Sequence, residues 1–235
     1  MDKEEEELYK ERDAVLYSEF SKVKTFEDLI NGYIKYYNGE IKFSPNSFGP
    51  LEEDTIKQLD LIKNINQAGF LTTDSQDGLV NEGIYNGNKY KIVQRAYIIG
   101  FMKKLLYDKL YSFIKYTDLV CLGYDILSEP FETDMRILVT YDEFAKIDHT
   151  RIPITSDGMS EWNSITTYSP KIEEPNDLYF VSIFDPTWRR SNYMVETIHD
   201  ILLDKNLGRI QGEDSSHWLG KYKKYKQKYL KLKYM

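Results

Sequence analysis

The chain of 235 residues is 41% hydrophobic and 14% aromatic. That excludes a disordered polymer and leaves room for one substantial domain or, as expected here, a smaller domain with helical extensions. A formal net charge of −7 disfavours general nucleic-acid binding, whose affinity comes mainly from clustered cations releasing counterions, and the single cysteine, Cys121, excludes an intrachain disulfide.

The N-terminus, Met1 to Glu7, is acidic where a signal or transit peptide would be basic. No apolar run reaches the roughly 18 residues of a membrane span. An intracellular protein with no signal peptide and no transmembrane segment is therefore expected. Residues 2 to 20 read as a charged helix with a thin apolar stripe of Leu8, Val15 and Leu16, so residues 1–22 are expected to be a helical extension. A second helix starts at Thr25, whose hydroxyl stands three residues before Asp28 in a capping-box arrangement, and carries Phe26, Leu29, Ile30, Tyr33 and Tyr37 at helical spacing before Asn38-Gly39. The turn-rich segment Ser44 to Pro50 leads to a third helix, expected from Glu52 to about Gln67, with Ile56, Leu59, Ile62 and Ile65 on one face and Gly69 at its C-terminal cap.

From Phe70 the pattern changes to strands. Phe70 to Thr73 reads as a short one, Asn86-Gly87-Asn88 as a hairpin turn, and Tyr90 to Ile99 as one long strand with Gln94-Arg95 inside it and Gly100 at its end. A helix is expected over 101–116, then strands at Leu119–Tyr124, where Cys121 packs as a small hydrophobe, and at Arg136–Tyr141. Thr150 to Pro175, rich in Ser, Thr, Pro and Asn, reads as a long loop. Leu178 to Phe184 is a nearly continuous apolar strand, and a helix follows over 192–205 with Met194, Ile198, Ile201 and Leu202 inward and Gly208 past its end. Together these give an α+β fold with a single mixed sheet flanked by helices and with helical N- and C-terminal extensions. The core domain is expected over 23–210.

Residues 211–235 form the other expected extension. Trp218, Tyr222, Tyr225, Tyr229 and Leu232 are spaced as one helical seam. Residues 221–235 hold seven lysines and no acid, so the rest of the chain sums to −14, the total of −7 less the +7 of this segment. Self-association or a protein partner through this tail is one expectation; nucleic acid is expected nowhere else on the chain.

Two stretches resemble known proteins. The tail from Tyr222 to Lys233 resembles the C-terminal Lys/Tyr/Leu repeats of giant DNA virus proteins, which implies a viral origin and action in the host cytoplasm or the virion. Separately, Asn66, Gly69, Phe70, Thr72, Ser75, Gln76 and Gly78, followed by Gln94-Arg95-Ala96, resemble a domain family known mainly from actinobacteria, with the hallmark Asn-x-x-Gly-Phe-x-Thr-x-x-Ser-Gln-Pro-Gly. Asp77 stands where that hallmark has proline. The resemblance spans about 25–205 and implies one shared site without naming a reaction.

That site is expected where the first strand runs out, at Thr73, Asp74, Ser75 and Gln76, with Gln94 and Arg95 from the long strand and Asp185 and Trp188 after the last one. Hydroxyls, an amide and free backbone N–H groups suit a small anionic or hydroxyl-rich ligand; the plainer alternative is that Asp74 to Gly78 is a turn satisfying its own backbone. Arg95, in a buried strand, requires a partner. A carboxylate of Asp74, Asp77 or Asp185 would make it structural, and an anionic ligand would make it functional. Trp188 is either part of the site or a packing anchor. Ser75 lacks an evident base, because His149, His199 and His217 fall in segments that read as surface, and His199 in particular as solvent-facing. No phosphate loop, dinucleotide fingerprint, nucleophile elbow or zinc spacing occurs, so no cofactor or metal is expected. The rival function is a non-enzymatic interaction protein working through its acidic and basic terminal helices.

Overall fold

The computed structural model describes residues 3–47, 49–51, 53–85, 87–127, 136–153, 157–173 and 177–203. The tail 211–235 and Gly208 lie outside these residues. The first helix, α1 (Lys3–Phe20), has an exposed acidic first half laced by i,i+4 pairs such as Lys10–Glu6 at 2.5 Å. Its second half turns inward, with Leu16 and Phe20 fully buried. Arg12 is buried with them, donating to Tyr168 Oη (2.7 Å), Pro45 O (2.8 Å) and Ser47 O (3.2 Å), so no part of its fork goes unsolvated without a partner.

In α2 (Phe26–Tyr37) the capping box is present in both directions: Thr25 Oγ1 accepts from Asp28 N and the Asp28 carboxylate accepts from Thr25 N, each at 3.1 Å. The expected third helix is two pieces, α3 (Glu53–Lys57) and α4 (Leu59–Gln67). Gln58 breaks it, leaving the helical region at φ −113°, ψ 13°, and sends its side chain to Asn192 Oδ1 (3.0 Å). The break takes Ile56 off the buried stripe of Ile62 and Ile65 and leaves it exposed.

The strands build two sheets, which corrects the expected single mixed sheet. After α4 come β1 (Leu71–Gln76), β2 (Val80–Tyr85), β3 (Asn88–Gln94), β4 (Tyr97–Lys103), α5 (Lys104–Ile114), β5 (Val120–Asp125), β6 (Arg136–Asp142), β7 (Ile147–Pro153), α6 (Asp157–Tyr168), β8 (Leu178–Phe184) and α7 (Tyr193–Leu202). One sheet has the order β1-β4-β8-β5 and the other β2-β3-β6-β7, with every pair antiparallel. The cause lies at Gln94-Arg95-Ala96, where the expected long strand is two. Arg95 N donates to Val139 O in the second sheet (2.8 Å), whereas Ala96 O accepts from Asp185 N beside the first (2.9 Å). The backbone changes partners within two residues.

Three further expectations are corrected. Gly100 lies inside β4 rather than ending it: β1 bulges at Thr73, and a Cβ at position 100 would overlap the Leu71 carbonyl. The helix expected from 101 starts at Lys104, because Phe101 and Met102 are claimed by pairing with β8. The loop expected over 150–175 contains the end of β7 and all of α6, whose Trp162, Ile165 and Tyr168 repeat every three residues and are buried despite their polar neighbours. Nearly every side chain of β4 and β8, the central strands of the first sheet, is buried. Among the described residues no helix is long and apolar enough to cross a membrane.

Candidate functional site

The antiparallel order brings four chain segments to one end of the first sheet. Gln76 at the end of β1 faces Tyr97 at the start of β4, Tyr97 faces Phe184 at the end of β8, and Phe184 faces Val120 at the start of β5. The residues just outside these positions, Asp77, Arg95, Asp118 and Asp185, therefore share one rim.

The β1 residues are strand rather than turn. The expected strand Phe70–Thr73 runs instead from Leu71 to Gln76, and the turn begins at Asp77. Thr73 is the extra residue of the bulge, its hydroxyl reaching Ile99 O at 3.5 Å, and Asp74 is exposed and accepts from Tyr97 Oη at 2.9 Å. Ser75 and Gln76 are half-buried opposite Ile98 and Tyr97. Among the described residues no side-chain hydrogen bond joins either to Arg95 or Asp185. Behind them Thr72 is locked by Tyr37 Oη (2.7 Å) and Asn66 Nδ2 (2.8 Å), which anchors the strand to the helices.

Gln94 is a brace. Its Nε2 donates to Asp77 O (2.7 Å), its Oε1 accepts from Thr140 (3.2 Å), and its backbone O accepts from Arg189 N (3.0 Å). Arg95 follows at the corner between the sheets. Its Nη1 donates to Leu138 O (3.0 Å), its guanidinium lies 4.1 Å from the centre of the Trp188 ring, and its Nε is buried without a hydrogen-bond partner. Burial pushes its pKa down from the ordinary arginine value, with the Asp185 charge opposing that shift.

Asp185 itself is committed elsewhere. It is fully buried and grips Arg190 through both oxygens, Arg190 Nη2 standing 2.7 Å from Oδ1 and Nε bonding Oδ2, and it also accepts from Thr187 N (2.7 Å). Arg190 reaches on to Asp118 (3.3 Å) and lies over the Tyr193 ring at 3.9 Å; burial works against its charge, but Asp185 outweighs it and holds the pKa above the ordinary value. The other acids nearby are also satisfied. Glu143 takes Lys91 (3.2 Å) and Arg189, while Asp77 accepts from Gly78 N (2.8 Å), Asn192 N (2.9 Å) and Ser191 Oγ. Arg189 and Asn192 have φ of 71° and 60°, left-handed conformations costing about 1 kcal/mol or more each for non-glycine residues.

Of the residues singled out in the sequence, then, the structure joins Arg95 to Trp188 by stacking, places the Asp185 charge near Arg95, and links Gln94 to Asp77. The contributions of Arg190, Asp118, Ser191 and Asn192 were not legible. Arg190 stands five residues after Asp185, next to Arg189, and nothing local says which of the two adjacent arginines turns inward. His199, expected to face solvent, is buried: α4 packs across α7, and Asn64 Nδ2 lies 3.3 Å from His199 Nε2 with Asp200 3.1 Å from Nδ1. His149 is exposed, and His217 lies outside the described residues. Among the described residues no group of three or more His, Cys, Asp or Glu side chains is arranged to hold a metal ion.

A family model described as a domain of unknown function (DUF6919) matches residues 17–205. No curated protein matches the chain. The matched span begins in the inward half of α1 and closes beyond α7, enclosing both sheets and the whole rim around Arg95. With most of its length covered by that one model, the chain belongs to the DUF6919 family.

Proposed function

We propose that this domain binds a small anionic, hydroxyl-bearing molecule at the end of the four-stranded sheet, with Arg95 as the anion-holding group and Trp188 as the surface that keeps its guanidinium flat. The observation that carries the reading is the charge pattern of the rim. Asp77, Asp118, Asp185 and Glu143 each have a cation or N–H donors of their own, whereas Arg95 has no hydrogen-bonded carboxylate among the described residues and leaves a buried N–H unused. A half-buried guanidinium so placed gains most from a carboxylate or phosphate arriving from solvent. Asp74 and Gln76, which share one face of β1, would supply polar contacts, with Asp74 as the acceptor for a ligand hydroxyl. A viral source, read from the resemblance of the Lys/Tyr/Leu segment Tyr222 to Lys233, belongs to the same proposal.

The test is a calorimetric titration of the full chain with inorganic phosphate, citrate, sugar phosphates and nucleotides. Arg95→Gln should weaken any anion that binds by about 10- to 100-fold, the worth of a charge-assisted hydrogen bond, and Trp188→Leu should weaken it less. Equal binding by Arg95→Gln, or no binding of any of these anions to the wild type, would overturn the reading. The rival, an interaction protein, draws on Leu8, Tyr9 and Tyr17, which α1 leaves exposed among its acids. Capture of a partner protein that is lost on replacing these three, with Arg95→Gln unaffected, would favour it.

A further inference from the structure

We infer that Asp77 is the positioning residue of the Arg95 site, acting through the 186–192 turn; the inference rests on the anion-binding reading for its functional meaning. Asp77 sits in the connection between β1 and β2, yet its carboxylate closes the N-terminus of α7, more than a hundred residues later in the chain. It accepts from Asn192 N at 2.9 Å and from Ser191 Oγ, while Gly78 N holds the same carboxylate in place at 2.8 Å. Asn192, at the cap position itself, gives no side-chain hydrogen bond to its own helix; its amide oxygen is taken by Gln58 (3.0 Å). The cap is thus supplied from outside, and its negative charge complements the positive end of the helix dipole.

The turn that Asp77 holds is the one that carries the site. It contains Trp188, stacked on Arg95, and Arg190, which neutralises Asp185. Two of its residues, Arg189 and Asn192, are in left-handed conformations that a free turn of this sequence would leave. The approach is close as well as bonded: at Gly78 a Cβ would overlap the Arg190 carbonyl, so the two connections touch backbone to backbone. Gln94 ties the same two segments from the other side, taking Arg189 N on its carbonyl and giving Nε2 to Asp77 O. Releasing Asp77 lets the turn relax, and Trp188 then leaves the Arg95 guanidinium.

The experiment uses the full chain labelled with 5-fluorotryptophan and read by fluorine NMR without ligand. The three tryptophans are 162, 188 and 218; Trp188→Phe assigns the resonance of interest, and Trp162, fully buried in the core, reports the fold. Asp77→Ala and Ser191→Ala should shift or broaden the Trp188 signal and leave Trp162 in place. Asp77→Asn, which can still accept both N–H groups and donate to Ser191, should restore the wild-type Trp188 signal. An unmoved Trp188 in Asp77→Ala would overturn the inference, as would Trp162 and Trp188 moving together in both the alanine variants. With an anion that binds the wild type, Asp77→Ala should lose about tenfold or more in affinity through misplacement of the site and Asp77→Asn should not. Failure of every anion to bind the wild type would sink the ligand reading alone, because the tryptophan signals are recorded without one.

Discussion

A methyl group at position 100 would overlap the Leu71 carbonyl oxygen and stand 2.8 Å from Thr72 Cα. Both obstacles are backbone, held by the bulge at Thr73 and by the Tyr37 and Asn66 bonds to Thr72, so neither can swing aside. Gly100→Ala is expected to cost about 3 kcal/mol, at the upper end of ordinary overpacking. Urea unfolding checks this; a midpoint equal to wild type would show that β1 slides at little cost. Other single residues settle local chemistry in the same direct way. Cys121 is buried in β5, and burial pushes its thiol up to about 12, so it behaves as the packed hydrophobe its apolar neighbours in the sequence indicate.

Helix ends and helix faces were largely legible at the scale of the element, because they depend on neighbours a few residues apart. The Thr25 capping box and the buried Phe26, Leu29, Ile30, Tyr33 and Tyr37 of α2 follow directly from spacing, as do Met194, Ile198, Ile201 and Leu202 of α7. Thr25→Ala should therefore lower stability by about 1 kcal/mol, the usual loss for a hydroxyl cap, seen as a reduced thermal midpoint with unchanged far-ultraviolet circular dichroism at 20 °C or so. Elements whose limits depend on a distant partner were not legible. The break at Gln58 follows from its bond to Asn192, and α6 is hidden by the Ser, Thr and Asn between its three buried aromatic and aliphatic residues. The two strands read as one from Tyr90 to Ile99 have continuous β-forming composition; only the partners of Arg95 and Ala96 divide them.

Across the whole molecule, the acids used structurally should set the acid limit of stability. Asp28 is held below its ordinary value of 3.8 mainly by the Lys24 N–H and then by the Thr25 hydroxyl and N–H. Asp142 is held low first by the Ala145 N–H of its turn, and Glu143 below 4.5 first by Lys91 and then by Arg189. Each folded pKa is depressed, so the unfolded chain takes up protons first on acidification. The stabilisation is complete above the ordinary values and is lost as pH falls through the depressed ones. Denaturation midpoints measured from neutral pH downward should hold steady and then fall below about pH 4.5, and Asp142→Asn should flatten that fall. A midpoint that rises on acidification would contradict these assignments.

The chain alone determined its α+β class, most helix faces and the burial of Cys121, because periodicity, capping and composition act over a few residues. It also showed that Arg95 needs a partner, since a guanidinium in an apolar strand is costly. Tertiary structure decided what local pattern cannot carry: that the strands divide into two antiparallel sheets, that Asp185 belongs to Arg190 and leaves Arg95 to Trp188, and that Asp77 caps a helix from across the chain. Each of these is a choice among several chemically equivalent partners, and only the distances imposed by the packed sheets and helices select one.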